Sequence, residues 1–562
     1  MARLSPLLCT LLLVTIASVL GFTVPTKINY TWPNPQYDAL EKLLYEGTRL
    51  DGLSLSDSVS GCKSRDGQEG RGTGNVAAEW VRFAFHDAIT HNIDDGTGGI
   101  DGSLFHELDR DENRGQGMKD TSADFLKFAG RFVSRADIVA MGAIFGMSSC
   151  GGQNILPYGG GRVDAQKAGR CGVPVVEQSV DQFTEAFRHL GLNSSQAIAL
   201  TVCGHALGGV RSVDFPNIVP PSSDPHQVIY RNFDTTPQFD SRVVTEYLDG
   251  TTQNPLVVNA NQTVTSDKRL FESDGGAAMR VFQNAGDRGF KIACREAYRV
   301  MINTIPAGVS LHQIDILPAK VIEPQITIEN GELIFKVDLR LTQNLTQPVP
   351  LDRTITLKWC DKRGSQSDCN GRVNTAQFAA RSQPTQTPVT DQLGLSFYSY
   401  AFRVAIDIQT SVGKFWFVVD NNDGNSPTTY NNGGANYDFQ QDSIIFLPRM
   451  SQTKNAGKTL HKMVVGVRIP LVSTRVYMKT YEVAKSNTEQ PQEKSTTLSL
   501  DGTIPPQKGY AFFSGDVSAN LLGLTIDIGV DTLDQSYKEE YLNARVLGCQ
   551  AGIIAPTTVS TA

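Results

Sequence analysis

Apolar residues recur at helical spacing along the first part of the chain and alternate along the second. From Thr23 to about Leu317 the spacing predicts helices over Tyr37–Gly47, Asn75–Thr90, Ser122–Phe132, Ala136–Met147, Ser179–Leu190, Ser194–His205 and Phe290–Asn303. Glycine-rich loops separate them at Gly61–Gly74, Asp94–Gly102 and Gly151–Gly161. An all-α domain with functional loops is the simplest reading.

After Pro318 the texture changes. Residues Gln325–Phe335 form two alternating runs about Asn330-Gly331, a strong short-range hairpin signal. Arg353–Trp359, Phe397–Gln409, Lys414–Val419, Met463–Val476 and Gly509–Ser514 continue the strand pattern. A β-sandwich-like domain of about 230 residues is expected. Asp420-Asn-Asn-Asp-Gly424 has its glycine one position too early for an EF-hand loop, so turn chemistry is preferred to metal there. No repeat of 20–50 residues is evident.

The chain of 562 residues is too long for one ordinary core. Its net charge of −7 and the lack of a long basic run argue against nucleic acid as a partner. Arg3 followed by the apolar run Pro6–Leu20 and small residues near Gly21 reads as a secretory signal over 1–21. Removing it discards Cys9 and leaves eight cysteines, an even number suited to disulfides in an oxidising compartment. Cys360 with Cys369 and Cys62 with Cys150 are the expected bridges; Cys171, Cys203, Cys294 and Cys549 stay unassigned. Sequons at Asn29, Asn193, Asn261 and Asn344 agree with secretion. No later stretch reaches membrane-spanning length and the C-terminus lacks a hydrophobic tail, so a soluble extracellular protein is expected.

The chemistry concentrates in Val81-Arg82-Phe83-Ala84-Phe85-His86-Asp87. Arg82 and His86 stand four apart and share one helix face. The imidazole can take and return a proton near neutral pH, and the guanidinium can stabilise charge as it develops. Phe85 is a flat residue able to line a pocket, and Asp87 a candidate metal ligand. A second histidine, His205, ends a helical run in Gly204-His-Ala-Leu-Gly-Gly209. Two helix-borne histidines with polar partners suit an iron held from one side and worked on from the other.

Five motifs then occur in a fixed order: Arg82–Asp87, Gly98–Ser103, Gly204–Gly209, Asn232–Asp240 and Arg269–Asp274. In this respect residues 60 to 310 resemble the plant, fungal and bacterial haem peroxidases, and most of all the secreted fungal (class II-like) members. The resemblance implies a mainly α haem-peroxidase domain over 22–318, followed by a β-rich domain over 319–548 without counterpart in well-known members, and a tail over 549–562. It implies haem b, hydrogen peroxide and small phenol-like reducing donors. It casts His86 as the acid–base, Arg82 as its arginine, Asn113 as the group fixing the His86 tautomer, and His205 as the iron ligand. Asp274 is expected to hydrogen-bond the far nitrogen of His205.

By the same resemblance, Asp87, Gly99 through its carbonyl, Asp101 and Ser103 form one calcium site, with oxygen ligands that suit a hard cation. A second calcium has Asp234, Thr236 and Asp240 as candidates, but the Ser or Thr that the family places after the iron ligand is Ala206 here. Manganese-oxidising members carry acids at the positions of Asn75, Glu79 and Arg211; only one of the three is acidic here. Lignin-oxidising members carry a surface tryptophan where Leu200 stands. Cytochrome c peroxidase uses a tryptophan beside the proximal histidine, and none of Trp32, Trp80, Trp359 and Trp416 is at that place. Ascorbate peroxidases have tryptophan where Phe85 stands. The competing reading is a non-catalytic, wall-associated or polysaccharide-binding protein on a peroxidase scaffold. Polysaccharide contact through the β-domain is one of three roles left open for it, beside docking and structural capping.

Overall fold

The computed structural model describes residues 35–65, 74–152, 156–224, 226–350, 352–364, 369, 373–455, 457, 459–544 and 560–561. The apolar segment 1–21, Asn29, Trp32 and Cys549 lie outside the described residues. From Pro35 onward the chain forms one compact unit.

Ten α-helices are present among the described residues, and nine of them precede Asn303. They are α1 (Pro35–Glu41), α2 (Val76–Ala88), α3 (Gln116–Leu126), α4 (Arg135–Ser149), α5 (Val180–His189), α6 (Ser194–Gly204), α7 (Arg242–Asp249), α8 (Ser266–Glu272) and α9 (Ala277–Ile302); α10 is Pro388–Gln392. The starts follow local chemistry. Asn75, Ser134, Ser179 and Asn193 each accept a backbone N–H from the first turn of their helix. The helix expected at Ser122–Phe132 lies earlier, over α3. The one expected at Phe290–Asn303 is preceded by a further helical stretch from Ala277, and the two meet at a kink at Gly286, whose φ of 64° and ψ of −177° are not helical. No described helix is long and apolar enough to cross a membrane.

Helix α2 is the centre of the helical part. Ala77, Trp80, Phe83 and Ala84 are fully buried on its inner face. Gly146 on α4 lets the two helices close up: a Cβ there would lie 2.8 Å from the Ala77 carbonyl oxygen. Disulfides Cys62–Cys150 and Cys203–Cys294 tie the chain before α2 to the end of α4, and α6 to α9. The first pair is the one expected from the sequence, as is Cys360–Cys369; the second was left open there. Cys171 is free and exposed.

Beyond Ala319 the chain is built of antiparallel strands. Ala319–Glu329 and Glu332–Asn344 pair as the expected hairpin, with Asn330 (φ 52°) and Gly331 (φ 77°) at its tip. The stretch expected as one strand over Met463–Val476 is two, Leu460–Arg468 and Arg475–Glu482, in the order set by their partners rather than by sequence adjacency. The β-rich part is also more than one sandwich. A four-stranded sheet (Ala319–Glu329, Glu332–Asn344, Leu395–Ala405, Ala380–Arg381) faces a second sheet built on Thr354–Trp359 and Lys414–Asp420. Phe335 meets Phe415, and Phe402 meets Phe417, between them. A separate eight-stranded sheet over 444–543 wraps its own core of Met463, Val465, Met478, Ile526 and Ile528. At Asp420–Gly424 the Asp420 and Asp423 carboxylates accept backbone N–H groups two residues on, which is turn chemistry.

The two parts are joined through buried charge. Glu41 of α1 meets Lys320 at 2.7 Å and Arg340 at 2.7 Å, and Arg340 also meets Glu46 at 2.9 Å. On the other flank Arg131 pairs with Asp527 at 2.7 Å, and the fully buried Arg135 donates to the carbonyls of Ser486 and Glu489.

Candidate active site

A cavity of about 500 Å³ opens between α2 and α6. Its walls are mostly apolar, with Phe85, Phe187, Leu200, Val210, Phe233 and Leu256 among them. Arg82 and His86 enter from α2, and His205 from the end of α6.

The tautomer of His86 follows from its neighbours. Asn113 donates through Nδ2 to the Glu107 carbonyl at 2.9 Å, which turns its Oδ1 toward His86 Nδ1 at 2.8 Å. An amide oxygen only accepts, so Nδ1 carries the proton and Nε2 keeps its lone pair. Burial, then the charge of Arg82, push the imidazole down to about 3 from 6.5. His86 therefore waits as a neutral base. Arg82 is pushed down to about 10, chiefly by burial, and remains charged at neutral pH. Its Nη2 donates to the Arg114 carbonyl at 2.8 Å, and its guanidinium lies 5.4 Å from the Phe215 ring centre.

On the opposite wall His205 Nδ1 lies 2.7 Å from Asp267 Oδ2. Asp267 is 2% exposed and also accepts from Asn254 Nδ2 at 2.9 Å. A carboxylate there draws the His205 proton to Nδ1 and leaves Nε2 as a ligand atom. This corrects the assignment of Asp274. Its two oxygens accept the N–H groups of Ala277 and Ala278 instead, and cap α9. The ring stacked on His205, at 4.2 Å, is Phe233. Asp267 and Phe233 both lie within or beside motifs visible in the sequence, but only the fold brings them to His205.

The candidate calcium ligands gather behind α2. Asp87 accepts from Gly102 N at 2.9 Å and Leu104 N at 3.1 Å, and Asp101 accepts from Ser103 N at 2.9 Å. Burial and then Asp101 raise the Asp87 carboxyl well above its ordinary value. Ser103 Oγ is buried without a hydrogen-bond partner. Two buried carboxylates beside an unsatisfied hydroxyl fit a hard cation. The fourth candidate, Gly99, has φ 101°, in the left-handed region glycine favours. The second group is also assembled. Thr236 Oγ1 donates to Asp240 at 3.1 Å, Asp234 accepts from Thr236 N at 2.9 Å, and Asp234 Oδ2 is buried without a partner. Burial raises the Asp234 carboxyl to about 7.

At the cavity rim Glu79 is held by Arg65 and lies 3.6 Å from Arg211, which pairs with Asp214 at 2.8 Å. Asn75 spends its side-chain oxygen on capping α2. Leu200 is 2% exposed and lines the cavity rather than the surface.

Residues 66–284 match the family model for peroxidases. They form a peroxidase domain. Among curated proteins, the chain is 31% identical over 394 residues to a WSC domain-containing protein of Arthroderma benhamiae, covering 68% of this chain and 52% of that protein. It is 27% identical over 198 residues to the peroxisomal L-ascorbate peroxidase 5 of Arabidopsis thaliana, covering 35% of this chain and 66% of that one. It is 28% identical over 149 residues to the mitochondrial cytochrome c peroxidase of Cryptococcus neoformans, covering 25% of this chain and 38% of that one. The chain thus spans about half the length of the first of these relatives.

Proposed function

We propose that this protein is a secreted haem-dependent peroxidase, reducing hydrogen peroxide to water while oxidising small phenol-like donors one electron at a time. The observation that carries the reading is a single cavity with a histidine on each wall. Each histidine has its Nδ1 tied to a side-chain oxygen, of Asn113 on one side and Asp267 on the other.

His205 Nε2 is the residue atom to ligate the iron, and Phe85, Val210, Phe233 and Leu256 offer apolar surface for a flat macrocycle. Haem, when bound, stores the two oxidising equivalents taken from peroxide. His86 Nε2 accepts the proton of the attacking peroxide and returns it to the departing oxygen, which leaves as water. Arg82 stabilises negative charge as the O–O bond breaks. Two donors each give an electron and a proton, which complete the second water.

Asp87, Asp101 and Ser103, with the Gly99 carbonyl, hold calcium in this reading; Asp234, Thr236 and Asp240 are the second candidate set. Secretion is supported by the apolar run Pro6–Leu20 and by three disulfides. The competing, non-catalytic reading is disfavoured by the intact set of Arg82, His86, Asn113, His205 and Asp267. A Soret band that shifts on adding peroxide, together with turnover of phenols, tests the proposal. Protein that takes up haem yet gives no shift would overturn it.

A further inference from the structure

The sheet built on Thr354–Trp359 and Lys414–Asp420 has two unlike faces. Ile355, Leu357, Trp359, Phe415, Phe417 and Val419 are buried, facing the neighbouring sheet. The alternate residues are partly exposed and stand on the outer face. Trp416 is one of them. Among the described residues none hydrogen-bonds to its indole or stacks on it.

Strand register fixes what surrounds it. Trp416 lies opposite Lys358, and the next row along sets Val418 opposite Thr356, which lies opposite Gln377. Gln377 Nε2 donates to Thr356 Oγ1 at 2.9 Å. Asp420 ends the strand. Rows of outer-face residues are about 7 Å apart and neighbouring strands about 4.8 Å, which sets these side chains next to one another around Trp416.

The geometry points to this face as a binding platform for a neutral polysaccharide chain, seated on Trp416. A sugar ring has an apolar C–H face and a rim of hydroxyls. An indole matches the first, because it is broad, flat and polarisable. Hydroxyl, amide, ammonium and carboxylate groups set around it match the second, each donating or accepting. The charges balance, Lys358 and Lys414 against Asp420 and Asp438, the last lying opposite Lys414 in the register, so neither a polyanion nor a polycation is favoured. A protein partner fits less well, since the apolar area is only Trp416 and Val418 and a stable interface needs a larger desolvated centre. The platform lies outside the cavity and uses none of its residues, so this inference and the peroxidase reading stand or fall separately.

The test is co-sedimentation of the full haem-loaded protein with cellulose, chitin and insoluble β-1,3-glucan, beside fluorescence with the corresponding soluble hexasaccharides. Trp80 and Trp359 are buried, whereas Trp416 is partly exposed, so sugar contact should shift the tryptophan emission to shorter wavelength. Retention on at least one polymer is expected, weakened tenfold or more in Trp416→Ala and mostly kept in Trp416→Tyr. Peroxide reactivity should be unchanged in both. Should Trp416→Ala fail to fold, Gln377→Ala on the same face should weaken retention severalfold. Retention on none of the three polymers, or retention that ignores Trp416→Ala and Gln377→Ala alike, would overturn the proposal.

Discussion

Asp267 accepts the Nδ1 proton of His205 at 2.7 Å, and both groups face the same cavity from the α6–α8 side. A buried carboxylate in this position makes the imidazole a stronger electron donor to whatever its Nε2 ligates. Replacing Asp267 by Asn should therefore raise the reduction potential of bound haem and slow its reaction with peroxide. Asp274→Asn should leave both unchanged and lower the unfolding free energy by about 1 kcal/mol, as loss of a helix cap does. Potentiometry on the two variants decides the matter; an effect from Asp274→Asn alone would restore the other assignment.

Naming Asp274 rather than Asp267 has a physical origin. They stand seven residues apart, two helical turns, so the sequence gives them equivalent faces. The chain leaves the helix after Glu272, and only one of them keeps that direction. Arg82 and His86 were legible because one uninterrupted helix carries both. Asn113 was legible only through the family motif, since it sits on a single 3₁₀ turn with no periodicity of its own. Helices α7 and α8, of eight and seven residues, are too short for their spacing to stand out. In the β-rich part the Asn330-Gly331 turn announced its hairpin. The break at 469–474 was signalled by Pro470, which cannot donate to a strand ladder, and the flanking Ile469, Leu471 and Val472 made the stretch read as one continuous strand.

The second prediction concerns proton transfer. His86→Ala should slow the reaction with peroxide about a hundredfold or more while haem stays bound. Asn113→Leu should slow it too, since Nδ1 loses the acceptor that fixes the tautomer. In the native protein the base form of His86 persists until pH falls to about 3, so the rate should hold through mildly acid pH and fall only toward that value. Stopped-flow rates against pH check this. A decline centred on the ordinary imidazole value of 6.5 would contradict the buried, neutral histidine.

Calcium should bind with release of protons. Without an ion, burial and Asp101 keep the Asp87 carboxyl protonated well above the usual range, and a cation must displace that proton. Affinity should thus weaken as pH falls. Prolonged chelation should lower the melting temperature and the rate with peroxide, and added calcium should restore both. Asp101→Asn should reproduce the chelated state. Calorimetry in buffers of different ionisation enthalpy measures the protons released.

The buried cluster of Glu41, Glu46, Lys320 and Arg340 should make the helical and β-rich parts unfold together. Arg340→Met takes one cation from each of two buried carboxylates, leaving Glu41 with Lys320 and Glu46 with Lys42, and should cost less than the roughly 3–5 kcal/mol of a fully unpaired buried charge. Burial opposes ionisation of Glu41, but Lys320 and Arg340 outweigh it and hold the carboxyl below its ordinary value. A depressed carboxyl stabilises the fold above the unfolded value of about 4.5, and that share is lost as pH falls below it. Thermal unfolding should show one transition in the native protein, with an acid dependence that Arg340→Met flattens.

The last prediction concerns what is oxidised, and it rests on the rim of the cavity. Binding of a divalent ion needs carboxylates free to turn toward it. Glu79 is not free: Arg65 holds one side and Arg211 approaches the other at 3.6 Å. Arg211 stands where manganese-oxidising members place an acid, and its pairing with Asp214 at 2.8 Å keeps it there. Asn75 brings no charge and is engaged as the cap of α2. A cation approaching Glu79 meets two guanidinium groups already set against that carboxylate. Bulky donors face a different barrier. They need an oxidisable residue at the surface, and Leu200, at the position where lignin-oxidising members carry tryptophan, is buried and aliphatic. Small phenol-like donors that reach the cavity itself should be oxidised with saturation kinetics, whereas manganese(II) and bulky non-phenolic donors should show little turnover. Asn75→Glu combined with Arg211→Asp should give measurable manganese oxidation, because it adds two carboxylates and frees Glu79 from one cation. Steady-state assays on both proteins test this. Efficient, saturable manganese turnover by the native chain would show that the Arg65–Glu79–Arg211 group opens in solution.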